Sequence, residues 1–216
     1  MTLILKKRDL DANDLRNFRP VSNLPFDSKI LERVILLQLH SHQCANSLLE
    51  IRQSAYRKYY RTETAVLSVL EGLLTKSDQK PVSILALLDL SAALETLDHA
   101  ILLRRLESTF GISGNLSDRT QSVVVDGLMS TPIPLVFGVP QGSVLGRVLF
   151  TLYSHPLSDV IACHGCDYHK YADDTEISDS APPSDFTSAQ SNIQPCISDT
   201  LSWMQSNKLK LNTEKN

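Results

Sequence analysis

The run Val82-Ser83-Ile84-Leu85-Ala86-Leu87-Leu88 is nearly continuously apolar, is of strand length, and ends on Asp89. It predicts a buried strand that delivers an acid to its carboxyl end. An ionised carboxylate at such a place is costly unless it is paired, well solvated or bound to a metal. A second acidic feature is Tyr171-Ala172-Asp173-Asp174, which reads as the tip of a β-hairpin. Successive side chains along a strand face opposite ways, so one of Asp173 and Asp174 can enter a site while its neighbour supports it. Alone, the pair equally describes a solvated Asp-Asp turn. Together with Asp89, Asp173 can form a two-metal site in which hard cations about 3.5–4 Å apart activate an attacking oxygen. That requires the two carboxylates to lie roughly 4–7 Å apart. Between the acids runs Phe137-Gly138-Val139-Pro140-Gln141-Gly142-Ser143-Val144-Leu145-Gly146, whose glycines allow backbone to approach a ligand closely.

These pieces, in this order, resemble the reverse transcriptase domain of LINE-type non-LTR retrotransposons. The resemblance also rests on Phe18-Arg19-Pro20-Val21-Ser22-Asn23-Leu24-Pro25, Gln53-Ser54-Ala55-Tyr56-Arg57, Leu88-Asp89-Leu90-Ser91-Ala92-Ala93 and Leu209-Lys210-Leu211-Asn212. It implies an α+β right-hand polymerase fold, with an antiparallel palm sheet backed by helices, a fingers subdomain and no thumb. Residues 1–80 would be fingers-like and 81–216 palm-like, within one reverse transcriptase domain. The implied activity is RNA-directed DNA polymerisation, with RNA template, DNA primer and deoxynucleoside triphosphates as partners. Asp89, Asp173 and Asp174 would be catalytic and would hold two Mg²⁺ ions, with Mn²⁺ as the alternative. Lys7, Arg19, Arg57, Leu94, Gly138, Gln141 and Gly142 would contact nucleotide or template, and Lys215 resembles a lysine near the leaving pyrophosphate.

The chain departs from the family pattern at three places. A helical segment expected after Gly111-Ile112-Ser113-Gly114 is missing, which would leave part of the palm's apolar face uncovered. Arg147 stands where the family has proline, and Leu94 where an aromatic ring packs beneath the sugar. These departures sustain a rival reading, a decayed non-catalytic fragment that at most binds nucleic acid.

Composition sets wide bounds. The 42% hydrophobic content of the 216 residues suits a globular protein. No apolar run approaches the ~20 residues of a membrane helix, and Thr2-Leu3-Ile4-Leu5 is too short for a signal peptide, so an intracellular, nuclear or cytoplasmic, protein without membrane partners is expected. The net charge of −3 hides an asymmetry. Residues 1–61 hold 11 Lys and Arg against 6 Asp and Glu, and the remainder carries a net of −8. Phosphate-binding bases in one part and metal-binding acids in another give this pattern, as does a basic solvated face. Four scattered cysteines make no disulfide framework, and Cys163-His164-Gly165-Cys166 with His169 lacks the second ligand pair of a zinc finger.

Periodicity places the helices. Ser28 to His42 reads as a core helix capped by Ser28, and Thr62 to Thr75 as an amphipathic one with Ala65, Val66, Val69 and Leu70 inward. Asp98 caps a helix to Phe110, and Val148 onward forms a helix broken at Pro156. Ser178 to Ser191 reads as a polar loop before a last helix from Ile193. Arg52, Arg57, Lys58 and Arg61 interleave with Tyr56, Tyr59 and Tyr60, a pattern suited to phosphates and bases.

Overall fold

The computed structural model describes residues 2–7, 9–14, 17–57, 60–75, 82–113, 120–125 and 127–212, with Arg19, Pro20, residues 73–75 and Val125 described in backbone alone. In chain order, β1 (Thr2–Leu5) and β2 (Phe18–Val21) precede helices α1 (Phe26–Ala45) and α2 (Thr62–Thr75). Then come β3 (Val82–Leu88), β4 (Leu90–Ser91) and α3 (His99–Phe110). Short strands β5 (Thr120–Gln121), β6 (Val124–Val125), β7 (Leu128–Met129) and β8 (Ile133–Pro134) follow. Helices α4 (Gly146–Tyr153) and α5 (Leu157–Ala162) lead to β9 (Asp167–Tyr171), β10 (Asp174–Ala181), α6 (Phe186–Ser206) and β11 (Lys210–Leu211). The chain divides into two compact units, residues 1–48 with 94–149, and residues 49–93 with 150–216.

In the first unit β1 and β2 pair antiparallel, from Thr2↔Val21 to Leu5↔Phe18. The expected cap of α3 is present: the Asp98 side chain accepts the Ile101 N–H at 3.0 Å. Gly111 ends the helix at φ 64°, a left-handed value that glycine reaches without a Cβ penalty. The apolar stripe Leu102, Leu106 and Phe110 is buried. Helix α1 differs from its expectation in two ways. It begins at Phe26, directly after Pro25, without a side-chain cap, so Ser28 lies inside the first turn. Nor is it a core helix: Phe26, Leu31 and Leu37 are 77%, 61% and 72% exposed, while Glu32 and Gln43 are buried. The reason lies in Glu32, whose carboxylate accepts the Ser143 hydroxyl at 3.0 Å and the Val144 N–H at 2.6 Å. Satisfying two donors of the glycine-rich loop fixes which strip of the helix turns inward.

The second unit is built on a three-stranded antiparallel sheet in the order β3-β10-β9. Helix α6 packs on β10 and β3, and α5 on α6 and β9. On that face Leu88, Ile177 and Ala181 are buried with Ile193, Cys196 and Met204 of α6. Strand β3 is therefore an edge, and only one of its faces is covered. Leu85 and Leu87, on the other face, are 44% and 58% exposed, which corrects the expectation of a strand buried on both sides.

Two further expectations change here. Ser178 to Ala181 belongs to β10, paired through Ala181↔Val82, and α6 starts at Phe186. Serine and aspartate are poor strand formers, but a central strand is held by ladders on both sides, and Ser83 Oγ adds a 2.9 Å contact to Ser180 Oγ. In α2, whose bounds match the expected ones, Ala65 is buried but Val66 and Leu70 are exposed. Pro156 stands between α4 and α5, as expected of a helix breaker. No helix among the described residues is long and apolar enough to cross a membrane.

Candidate active site

The tip of the β9–β10 hairpin is a two-residue turn, Ala172-Asp173, closed by the pair Tyr171↔Asp174. Ala172 has φ 59° and Asp173 has no positive φ, the pattern of a type II′ turn, in which the first turn position takes the left-handed value. An alanine there is strained. The strain persists because the surroundings hold the turn: Ala172 N–H donates to Gln53 Oε1 at 3.3 Å.

Register brings the acids together. The β3–β10 ladder ends at Thr175↔Leu88. One step further along both chains stand Asp174 and Asp89, so both leave the sheet at the same end. Both line a cavity of about 340 Å³ together with Thr62, Tyr171 and Glu176. Asp173 is half-buried in the turn, outside the lining of this cavity. Asp89 is further fixed by Asn212, whose side-chain amide donates to Asp89 Oδ2 at 2.9 Å and whose N–H donates to the Asp89 carbonyl at 2.9 Å. The small β4–β11 ladder, Lys210↔Ser91 and Leu211↔Leu90, delivers Asn212 to that place. Among the described residues no group of three or more His, Cys, Asp or Glu converges as a metal cluster.

Neighbouring groups feel the burial. Burial pushes the Glu176 carboxyl up, and the negative charge of Asp174 adds to it. Its Oε2 is buried without a hydrogen-bond partner among the described residues. A raised folded value means that the native state holds this proton more tightly than the unfolded chain, so stability falls as pH rises through it. Glu176→Gln is therefore expected to stabilise the chain near pH 7, by less than about 1 kcal/mol at this half-exposed site, and to lose that advantage near pH 4. Thermal unfolding at the two pH values measures it. His169, opposite Glu176 in the ladder, is pushed down mainly by burial and then by the Arg52 charge, so its ring is neutral at pH 7.

Lys170 is almost wholly buried, at 1% exposure. Its Nζ lies 2.6 Å from Glu50 Oε2 and donates to the Ser154 carbonyl and to Ser158 Oγ. Burial pulls its pKa down, and Glu50 opposes that shift. Backbone bonds from Lys170 N–H to the Arg52 carbonyl and from Ser54 N–H to the Lys170 carbonyl tie β9 to residues 52–54. Nothing in the sequence signalled Glu50, Lys170 or Glu176. Gln53 and Asn212 did lie in stretches that carried the resemblance, though without a role.

The remaining expected contacts are spread over both units. In the first unit, Gly138 N–H donates to the Leu97 carbonyl at 2.7 Å and Val139 N–H to the Leu94 carbonyl at 2.8 Å. Gln141 donates its side-chain amide to Glu95 Oε1 at 2.6 Å and its carbonyl accepts the Ser22 N–H. Gly138 is buried with φ +76°, and a Cβ there would stand 2.8 Å from the Glu95 carbonyl oxygen. Its glycine is thus required by the protein's own backbone. Gly142 is exposed at φ +99°, with a Cβ contact to the Ser22 carbonyl of 3.5 Å. Gly138→Ala is expected to cost about 2–3 kcal/mol, from backbone strain and a clash, and Gly142→Ala only the strain, about 1–2 kcal/mol. Chemical denaturation of both variants tests the difference. Lys7 is exposed. Arg19 lies on β2, with only its backbone described. In the second unit the Arg57 guanidinium sits over the Tyr60 ring, 5.8 Å from its centroid. Lys215 lies outside the described residues.

An antiparallel sheet with acids at one end and helices packed against it is a polymerase palm in outline, and solved structures share that outline. A telomerase from Candida tropicalis superposes with a TM-score of 0.60 at 18% identity, covering 85% of this chain and 38% of that one. The telomerase of Candida albicans gives 0.59 at 14% identity, over 88% and 34%. Residues 4–216 match the family model of reverse transcriptase (RNA-dependent DNA polymerase), and the chain belongs to that family. It is 27% identical to the RNA-directed DNA polymerase from mobile element jockey of Drosophila melanogaster, over 99% of this chain and 24% of that protein. The probable RNA-directed DNA polymerase from transposon X-element of the same organism is 33% identical over 65% of this chain and 16% of its own length. The chain thus spans about a quarter or less of these relatives, and its kinship to non-LTR retrotransposon polymerases is established over that span.

Proposed function

We propose that this chain carries the nucleotidyl-transfer centre of an RNA-directed DNA polymerase, acting on an RNA template, a DNA primer and deoxynucleoside triphosphates. The observation that carries the reading is the placement of Asp89 and Asp174 at one end of the sheet, beside the strained turn that holds Asp173. The reaction joins a primer 3′-hydroxyl to the α-phosphorus of a deoxynucleotide and releases pyrophosphate. All three acids offer hard oxygen donors, the set that magnesium prefers, and magnesium sites commonly need only one or two carboxylates completed by substrate phosphates. When bound, Mg²⁺ or Mn²⁺ supplies charge neutralisation at the attacking and leaving oxygens. Asp89, held by Asn212, and Asp174, set by the ladder, orient these donors, and Asp173 adds a third from the turn. Residues 1–80 serve as fingers and 81–216 as palm. Lys7, Arg19, Arg57 and Lys215 supply positive charge to phosphates, and Gly138, Gln141, Gly142 and Leu94 border the nucleotide and template.

The test is primer extension on an RNA template with and without magnesium, with Asp173→Ala as control. A second reading, a non-catalytic fragment that binds nucleic acid, is favoured by an apolar cavity of about 410 Å³ in the first unit, lined by Leu39, Leu102, Leu106, Leu145 and Leu149. Unfilled apolar volume there, as seen among the described residues, fits the loss of a packing segment. Salt-sensitive nucleic-acid binding without extension would select that reading.

A further inference from the structure

Ala172 occupies a left-handed position that alanine does not favour, so the turn needs an outside hold. Gln53 provides one. It is 4% exposed and forms a parallel bridge with Lys170 of β9. Its Oε1 accepts two N–H groups, that of Ala55 at 3.1 Å and that of Ala172 at 3.3 Å. Its Nε2, equally buried, has no acceptor among the described residues. A buried amide whose donor end is unsatisfied is costly, so this side chain is kept for its oxygen. The neighbouring Ser54 completes the attachment, with Oγ 2.9 Å from His169 Nε2.

We propose that Gln53 is a positioning residue which, through the Ala172 N–H, fixes the turn that presents Asp173 and Asp174. The role in catalysis rests on the polymerase reading above, whereas the hold on the turn does not. Gln53→Met keeps the size and removes the acceptor. In the ¹⁵N-labelled 216-residue chain, it should speed hydrogen exchange at the Ala172 amide by about tenfold, the worth of one such bond. Exchange at Ile177, in mid-strand, should stay as in the wild type. Mn²⁺ affinity, read by electron paramagnetic resonance, should fall by about tenfold, and extension should lose kcat by a similar factor with the KM for nucleotide within about twofold. In an Ala172→Gly background, where the turn needs no outside hold, the same substitution should have a much smaller effect on all three.

Unchanged Ala172 exchange in Gln53→Met, or an equal rise at Ile177, overturns the proposal. So does an equal loss of Mn²⁺ affinity in the glycine background. Should Gln53→Met fail to fold, the wild-type chain decides, because an Ala172 amide exchanging as fast as an open turn is incompatible with the hold. If Asp173→Ala leaves Mn²⁺ binding and extension untouched, the polymerase reading fails, and the exchange data still decide whether Gln53 secures the turn.

Discussion

Asp173→Ala is expected to lower magnesium-dependent primer extension on the order of 10³-fold or more, and Asp89→Asn to do the same, with the folded chain retained in both. The two variants separate charge from structure. Asp173 has no positive φ, so alanine fits its backbone, and the turn keeps its Gln53 contact. At Asp89 the substitution is isosteric, and a side-chain oxygen still accepts from Asn212, whose amide now donates at 2.9 Å to Asp89 Oδ2. On the proposed reading, what each variant loses is a negative charge where phosphoryl transfer would need counterions. Transfer of this kind depends on positioning and charge neutralisation, so no other residue substitutes for a missing ligand. Asp89→Asn with extension within about tenfold of the wild type would remove Asp89 from the site and with it the proposed mechanism.

What was legible in the sequence had local causes. The cap at Asp98, the stop at Gly111 and the bounds of α2 each follow from a few adjacent residues acting on their own backbone. Order along the chain carried the family, because several short stretches at fixed spacing are jointly specific. The failures had distant causes. Strand β10 runs through Ser178, Asp179 and Ser180 because ladder partners on either side impose it, against local propensity. Helix α6 begins at Phe186 and accommodates Pro195 in its interior, where local reading delayed its start to Ile193. The apolar residues of α1 pointed to a core helix, but one buried acid, Glu32, set its orientation toward the glycine-rich loop. The hold of Gln53 on Ala172 spans 119 residues, a distance over which hydrophobic period and turn chemistry carry no information.

Lys170→Met is expected to be the most destabilising single substitution of those considered, by about 3–5 kcal/mol, because it leaves the Glu50 carboxylate buried without its partner. The Glu50 side chain is 9% exposed and that of Lys170 is 2% exposed, so neither charge can turn to bulk water. Ser158 donates its hydroxyl to Glu50 and His155 Nδ1 lies 3.8 Å from it, and these remain too weak to replace an ammonium at 2.6 Å. For a chain of this size the loss corresponds to a fall in Tm of roughly 6–20 °C. The double variant Glu50→Leu with Lys170→Met removes both charges, and should be more stable than Lys170→Met alone, since an apolar pair does not carry the desolvation cost of an isolated ion. Equal instability in the single and double variants would assign the cost to packing against Ser154 and Ser158. If instead the double variant recovers stability while extension stays low, the ion pair acts on function through the strand it anchors: Lys170 lies one residue before Tyr171, whose partner across the turn is Asp174.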